Sequence, residues 1–292
     1  MWTIARHLGV APAQLREATQ ALQLPASKRV HYKLKTNVQP ESVAIARLLA
    51  EQVAKFVALG TPDPMIRPYP TAEAVRAAIL EKGAPWVSFT QLVDYCWSLG
   101  VPVVHLSTLP TGAKKMEGMA VSVGDRPAIV LTGKKGPAWM LFVLAHELGH
   151  ICSGHVDDNS SVIDGDIDEG SNDPQEKQAN AFALAVITGS PTMRVLPRER
   201  WLPAPQLAAA AHALGAKKSI DPGHIVLNYA HSMGHTFWGV ANSALKQLPS
   251  EGDALAILRE NLSAKLDWSN LPKEAAEFVA RMAELGTASP QP

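Results

Sequence analysis

The chain has 292 residues, 47% of them hydrophobic and 18% charged, with 27 Lys and Arg against 27 Asp and Glu. That length suits one large domain, or a catalytic domain with a smaller helical companion, and is ample for a sizeable core. The even charge excludes a general attraction to nucleic acid or to a membrane surface, and leaves only a local basic patch as a route to either.

Cys96 and Cys152 are the only cysteines, both in apolar segments, which implies no disulfide framework and fits a reducing compartment. The start, MWTIARHLGVAPAQ, lacks the long apolar core of a signal peptide. No run approaches the ~18 to 20 apolar residues of a membrane span. The expectation is a cytoplasmic protein without membrane attachment.

In chain order, residues 2 to 22 hold two short helical patterns around Leu8-Gly9-Val10 that resemble the turn and second helix of a helix-turn-helix. A full preceding helix is missing, and SKRVHYKLKT (27 to 36) is only a modest basic run, so a helical appendage is expected rather than a DNA-binding module. ESVAIARLLAEQVAKFVAL (41 to 59) has apolar residues at helical spacing. After a proline-rich connector, helices are expected at about 71 to 81 and 88 to 99, the second closed by Gly100.

The period then changes. VPVVHL (101 to 106), GMAVSV (118 to 123) and PAIVLTG (127 to 133) are short, valine-rich and punctuated by Gly, Pro and Asp, which predicts a small, mainly antiparallel sheet. Gly124-Asp125 predicts a tight hairpin. Pro137 opens the next helix. A polar acidic loop (153 to 174), a helix over about 174 to 187 and a breaker at Gly189 to Pro191 follow. Residues 204 to 248 and 252 to 285 read as mostly helical, with a turn at IDPG from residue 220. The fold class is α+β: mainly helical, with the small sheet packed on the 137 helix and a helical C-terminal region. The divisions expected are 1–36, 37–195 and 196–292.

The 137 helix carries AHELGH inside the apolar run FVLAHELGHIC. Dry, unpaired histidines and glutamates are costly, so these must bond one another or hold something. At about 100° and 1.5 Å per residue, His146 and His150 project from nearly the same face one turn apart, where both imidazoles reach one metal ion. Glu147 sits about 100° round from His146, placed to serve as a base. Leu141, Leu144, Leu148 and Ile151 recur on another side and face the core. HExxH on a helix is the zinc-protease signature. Downstream, EKQANAFALAV places Glu176, Asn180 and Ala183 on one helical side, and two histidines plus a glutamate from a second helix form a known catalytic zinc set with one open position.

These residues in this order, short strands, FVLAHELGH, a polar gap and E-x-x-A-N-x-F-A, resemble the ImmA/IrrE family of bacterial metallopeptidases over roughly residues 41 to 195. IDPGHIVLNYAH also resembles a helical tail of some members. The resemblance implies His146, His150 and Glu176 as Zn2+ ligands, Glu147 as the catalytic base, and a protein substrate such as a DNA-bound repressor, in mobile-element control or stress responses.

Neighbouring features have blander readings. His155 gives H-E-x-x-H-x-x-x-G-H, close to the metzincin motif but with glycine and third histidine displaced; it competes with Glu176 as third ligand only if the chain turns back sharply at Gly154. Glu176, 26 residues beyond His150, can be carried across the first helix by its own, with Asn180 one turn later to bond a ligating group. DGDIDEGSNDPQE (164 to 176) lacks the Gly and Glu that a calcium loop needs at its sixth and twelfth positions. Tyr229, His224, His231 and His235 are unranked candidates for stabilising an oxyanion. Cys152 has apolar neighbours that argue against a nucleophile. An extended substrate is expected at a sheet edge.

Two functions follow. One is a zinc metalloendopeptidase. The other is a non-catalytic regulatory protein that engages a repressor or antitoxin, its zinc closed by a fourth protein ligand, for which His155 is the nearest candidate.

Overall fold

Pro137 fixes φ for the first turn of a helix that runs to Cys152, and the remaining elements are arranged around it. The structure, a computed structural model, describes residues 30–33, 40–62, 68–109, 117–156, 161–164, 173–196 and 202–286. In order these form β1 (Val30–Lys33), α1 (Pro40–Leu59), α2 (Ala72–Leu80), α3 (Phe89–Ser98), β2 (Val103–His105), β3 (Gly118–Val123), β4 (Arg126–Leu131), α4 (Pro137–Cys152), β5 (Ser161–Asp164) and α5 (Pro174–Thr188). Then come α6 (Ala204–Lys218), α7 (Pro222–Met233), α8 (Trp238–Leu245), α9 (Ala254–Lys265) and α10 (Lys273–Met282). The helix-turn-helix pattern at 2 to 22 and most of the 164–176 loop lie outside the described residues.

The α+β class stands, and the helix ends follow local chemistry. Ser88 and Gln91 close a capping box on α3. Asp173 accepts from the Gln175 N–H, and Pro174 follows it at the first position of α5, which fixes where Glu176 lies. Gly189, at φ +80°, ends α5 in the left-handed conformation that glycine adopts without strain.

The five strands lie in the order β1-β5-β3-β4-β2. β3 and β4 form the expected hairpin, with Val123 opposite Arg126 and Gly124-Asp125 as its two-residue turn. β5 pairs antiparallel with β3, whereas β2 joins β4 and β1 joins β5 in parallel. The sheet is therefore mixed, not mainly antiparallel. β5 falls in the stretch read as a polar loop and β1 in the basic run; at four residues each, neither carries enough alternation to stand out from polar flanks.

Among the described residues, two apolar clusters fill the interior. The larger joins α1 through Leu49, Val53 and Val57, the sheet through Ile129 and Val130, and α4 through Leu141, Leu144, Leu148 and Ile151, all buried. α9 and α10 return to this cluster with Leu258, Leu262, Phe278 and Met282. Phe278 meets Phe56 of α1 edge-on at 6.0 Å, and the Met282 carbonyl accepts from the Ser107 N–H at 2.9 Å. α6, α7 and α8 form the second cluster around Leu207, Val226, Tyr229 and Phe237. Among the described residues no helix is long and apolar enough to cross a membrane.

Candidate metal centre

α4 buries His146, Glu147 and His150 completely. The two histidine rings, one turn apart, meet edge to face at 4.7 Å, and their Nε2 atoms stand 3.0 Å from each other. α5 crosses this face. Glu176, in its first turn, puts Oε1 3.2 Å from His150 Nε2 and Oε2 3.4 Å from His146 Nε2. The predicted trio thus converges, and it forms a group able to hold a metal ion.

The approach of α5 depends on missing side-chain volume. A Cβ on Gly149 would lie 3.1 Å from both Cα and O of Ala179 and 3.2 Å from Phe182 Cβ. Glycine between the two ligating turns therefore lets the second helix sit close enough for a short carboxylate to reach the imidazoles.

Hydrogen bonds decide which histidine nitrogens are offered. Asn180 Oδ1 lies 2.9 Å from His146 Nδ1. An amide oxygen only accepts, so Nδ1 carries the proton and Nε2 the lone pair. Gln178 Oε1 lies 3.0 Å from His155 Nε2, which must then donate. With His155 neutral, its Nδ1 is left as an acceptor, and this atom lies 2.9 Å from His150 Nδ1. His150 Nδ1 donates to it and its Nε2 is left with a lone pair. Two imidazole lone pairs and a carboxylate thus face one another within 3.4 Å in a buried place. Without a cation this arrangement is repulsive. Ligand atoms about 2.0–2.1 Å from a tetrahedral zinc are about 3.3–3.4 Å apart, which is close to the spacings found here. The donor set and its spacing fit zinc.

Glu147 is buried on the sheet side of α4. Its carboxylate and Cγ press on Gly118 at the start of β3, where a Cβ would overlap Oε1. That glycine is a requirement of the site that strand pattern alone did not disclose. Phe142, one turn before His146, has its ring 6.4 Å from that histidine and 6.1 Å from His224 of α7, which stacks on it nearly parallel. Burial pushes the His224 imidazole down to about 4, so it is neutral near pH 7.

The other sequence candidates separate. Tyr229 is buried against Phe237 in the second cluster, and His231 is exposed near the end of α7. The side chain of His235 lies outside the described residues. Cys152 has its thiol pushed up to about 12 by burial, in keeping with a packing role. His155 does reach the centre, through the turn at Gly154, yet it meets the Nδ1 side of His150, opposite the nitrogen that faces Glu176.

A helix bearing HExxH, with a glutamate of the next helix against both histidines, defines a metallopeptidase-type centre. The family model described as the IrrE N-terminal-like domain, of the M78 peptidases, matches residues 97–212, from the end of α3 into α6. Over these residues the chain is similar to the ImmA/IrrE family, as its motifs suggested. No curated protein and no solved structure matches the chain.

Proposed function

We propose that the protein is a zinc-dependent metalloendopeptidase with His146, His150 and Glu176 as its ligands and Glu147 as general base. The observation that carries this reading is the convergence of two imidazole Nε2 atoms and one carboxylate in a buried place, the two rings held from behind by Asn180 and His155. Zinc bound there supplies Lewis acidity to the scissile carbonyl and to the attacking water. Glu147 takes the proton of that water and passes it to the leaving amine, as base and then acid. Asn180 keeps His146 oriented throughout.

The alternative, a structural zinc in a non-catalytic binding protein, needs a fourth protein ligand. Its nearest candidate, His155, is engaged behind His150, which favours an open fourth position and hence catalysis. The substrate proposed is a regulatory protein, such as a repressor or antitoxin, on the strength of the family alone; neither nucleic acid nor membrane is a proposed partner, and the proposed compartment is the cytoplasm. The test is to purify the proteins encoded beside this one with it and look for a zinc-dependent cut that Glu147→Gln abolishes. No cut in any of them, with zinc bound, would count against the regulatory substrate.

A further inference from the structure

We infer that His155 is a positioning residue of the metal centre: together with Gln178 it locks His150 in the tautomer that presents Nε2 to the metal. The inference rests on the zinc reading above and concerns residues to which neither the motif nor the family match gives a role.

The geometry is local and specific. α4 ends at Cys152, and Gly154 at φ +72° reverses the chain through a conformation that glycine tolerates freely. The reversal is held by the His155 N–H donating to the His150 carbonyl at 2.9 Å. It returns the His155 ring to 5.0 Å from the His150 ring, inclined by 63°, with the two Nδ1 atoms 2.9 Å apart. Two neutral imidazoles in such contact have one donor and one acceptor between them. What chooses the donor is the far end of the chain of bonds. Gln178 Oε1, on the exposed side of α5, accepts from His155 Nε2 and leaves His155 Nδ1 as the acceptor. His150 must then donate from Nδ1.

The same polarity on the other ligand comes from one residue, Asn180, in one step. For His150 it takes two residues, and the second belongs to the helix that carries Glu176. Gln178 is two residues beyond Glu176, so docking α5 delivers the third ligand and sets the tautomer of the second together. A ligating imidazole whose other N–H is held by an acceptor is more basic and better oriented, and loss of such a partner costs about 10- to 100-fold in metal affinity.

The experiment is zinc affinity by competition with a chromophoric chelator, alongside the Tm of the metal-free chain and 15N shifts of its imidazoles. His155→Phe is expected to weaken zinc binding about 10- to 100-fold while leaving the metal-free Tm nearly unchanged. His155→Gln is expected to restore most of the affinity, because its amide oxygen accepts from His150 and its nitrogen donates to Gln178. Gln178→Leu, an exposed change, is expected to act in the same direction by a smaller factor and serves if His155→Phe folds poorly. The 15N shifts should show the proton on His150 Nδ1 in the wild type. Undiminished affinity in both His155→Phe and Gln178→Leu, or a proton on Nε2 of wild-type His150, would overturn the inference. A wild type that takes up no zinc would overturn the zinc reading along with it.

Discussion

Gly149 and Ala179 pack so closely that a Cβ at 149 would stand 3.1 Å from the Cα and the carbonyl oxygen of Ala179, tighter than side chains ordinarily approach backbone. The obstacle is helix backbone, which cannot swing aside as a side-chain tip does. Alanine gains up to about 1 kcal/mol over glycine in a helix interior, whereas overpacking costs about 1–3 kcal/mol, so the clash wins. Gly149→Ala should lower the stability of the metal-free chain and weaken zinc binding by displacing Glu176. Urea unfolding and zinc titration check this, and a more stable variant with undiminished affinity would contradict it.

Glu147→Gln should keep the fold and bind about one zinc per chain, since the amide fills the same space against Gly118. Cleavage should fall by roughly two or more orders of magnitude. Metal analysis and a cleavage assay read the two halves separately; full activity would remove the assigned role.

Glu176→Ala should lose most zinc affinity and all activity, because it removes the anionic member of the ligand set and leaves two neutral imidazoles 3.0 Å apart. Stripping zinc from the wild type with a chelator should likewise abolish cleavage, and resupplying zinc should restore it. If Glu176→Ala titrates like the wild type, the third ligand has been misassigned.

Arg76 of α2 ties together two helix ends. Its Nη1 donates to the carbonyls of Val186 and Ile187 at 3.1 and 2.7 Å, and its Nη2 to those of Lys218 and Ser219 at 3.3 and 2.6 Å. A cation at two helix C-termini also complements their dipoles. Arg76→Met should destabilise the chain by about 1.5–3 kcal/mol, and Arg76→Lys should recover little, since one ammonium cannot span a fork of four carbonyls. Denaturant midpoints decide.

Asp221 and His224, a cap and the residue whose N–H it holds at 2.8 Å, should give opposite pH dependences. Burial raises the Asp221 carboxyl to about 6, with Glu251 adding to the rise. Its folded form therefore binds more protons than the unfolded chain, and its contribution to stability is lost as pH rises from about 4 to 6. Burial lowers His224 to about 4, so the unfolded chain binds more protons, and the stability His224 contributes is lost as pH falls through about 6.5 to 4. Each effect is on the order of 3 kcal/mol, and in the wild type they offset each other. Asp221→Asn, which still caps α7, should make the metal-free chain gain stability from pH 4 to 6 relative to the wild type, while His224→Phe should make it lose stability over that range. Parallel profiles for the two variants would refute the pairing.

Much of the site was legible from spacing alone. HExxH in an apolar run with Leu141, Leu144, Leu148 and Ile151 off its chemical face determines a helix with a packing face and two histidines one turn apart, because 3.6 residues per turn is a property of the backbone. The hairpin at Gly124-Asp125 and the helix starts at Ser88, Pro137 and Pro174 are likewise local: turn conformation and unsatisfied N–H groups are settled within a few residues. What tertiary structure alone decided concerns partners. Val30–Lys33 and Ser161–Asp164 become strands only because β3 offers its edge to β5 and β5 in turn offers its own to β1, and no four-residue pattern encodes a neighbour's free N–H and C=O groups. α9 and α10 look like any amphipathic helices, and only packing returns them to α1 and β2. His155 was visible as a neighbour of the motif, and Gly154 as the turn that could bring it back. What only packing decides is that α5 sets Gln178 against His155 and Glu176 against the other ring nitrogen of His150, in the space left open between Gly149 and Ala179.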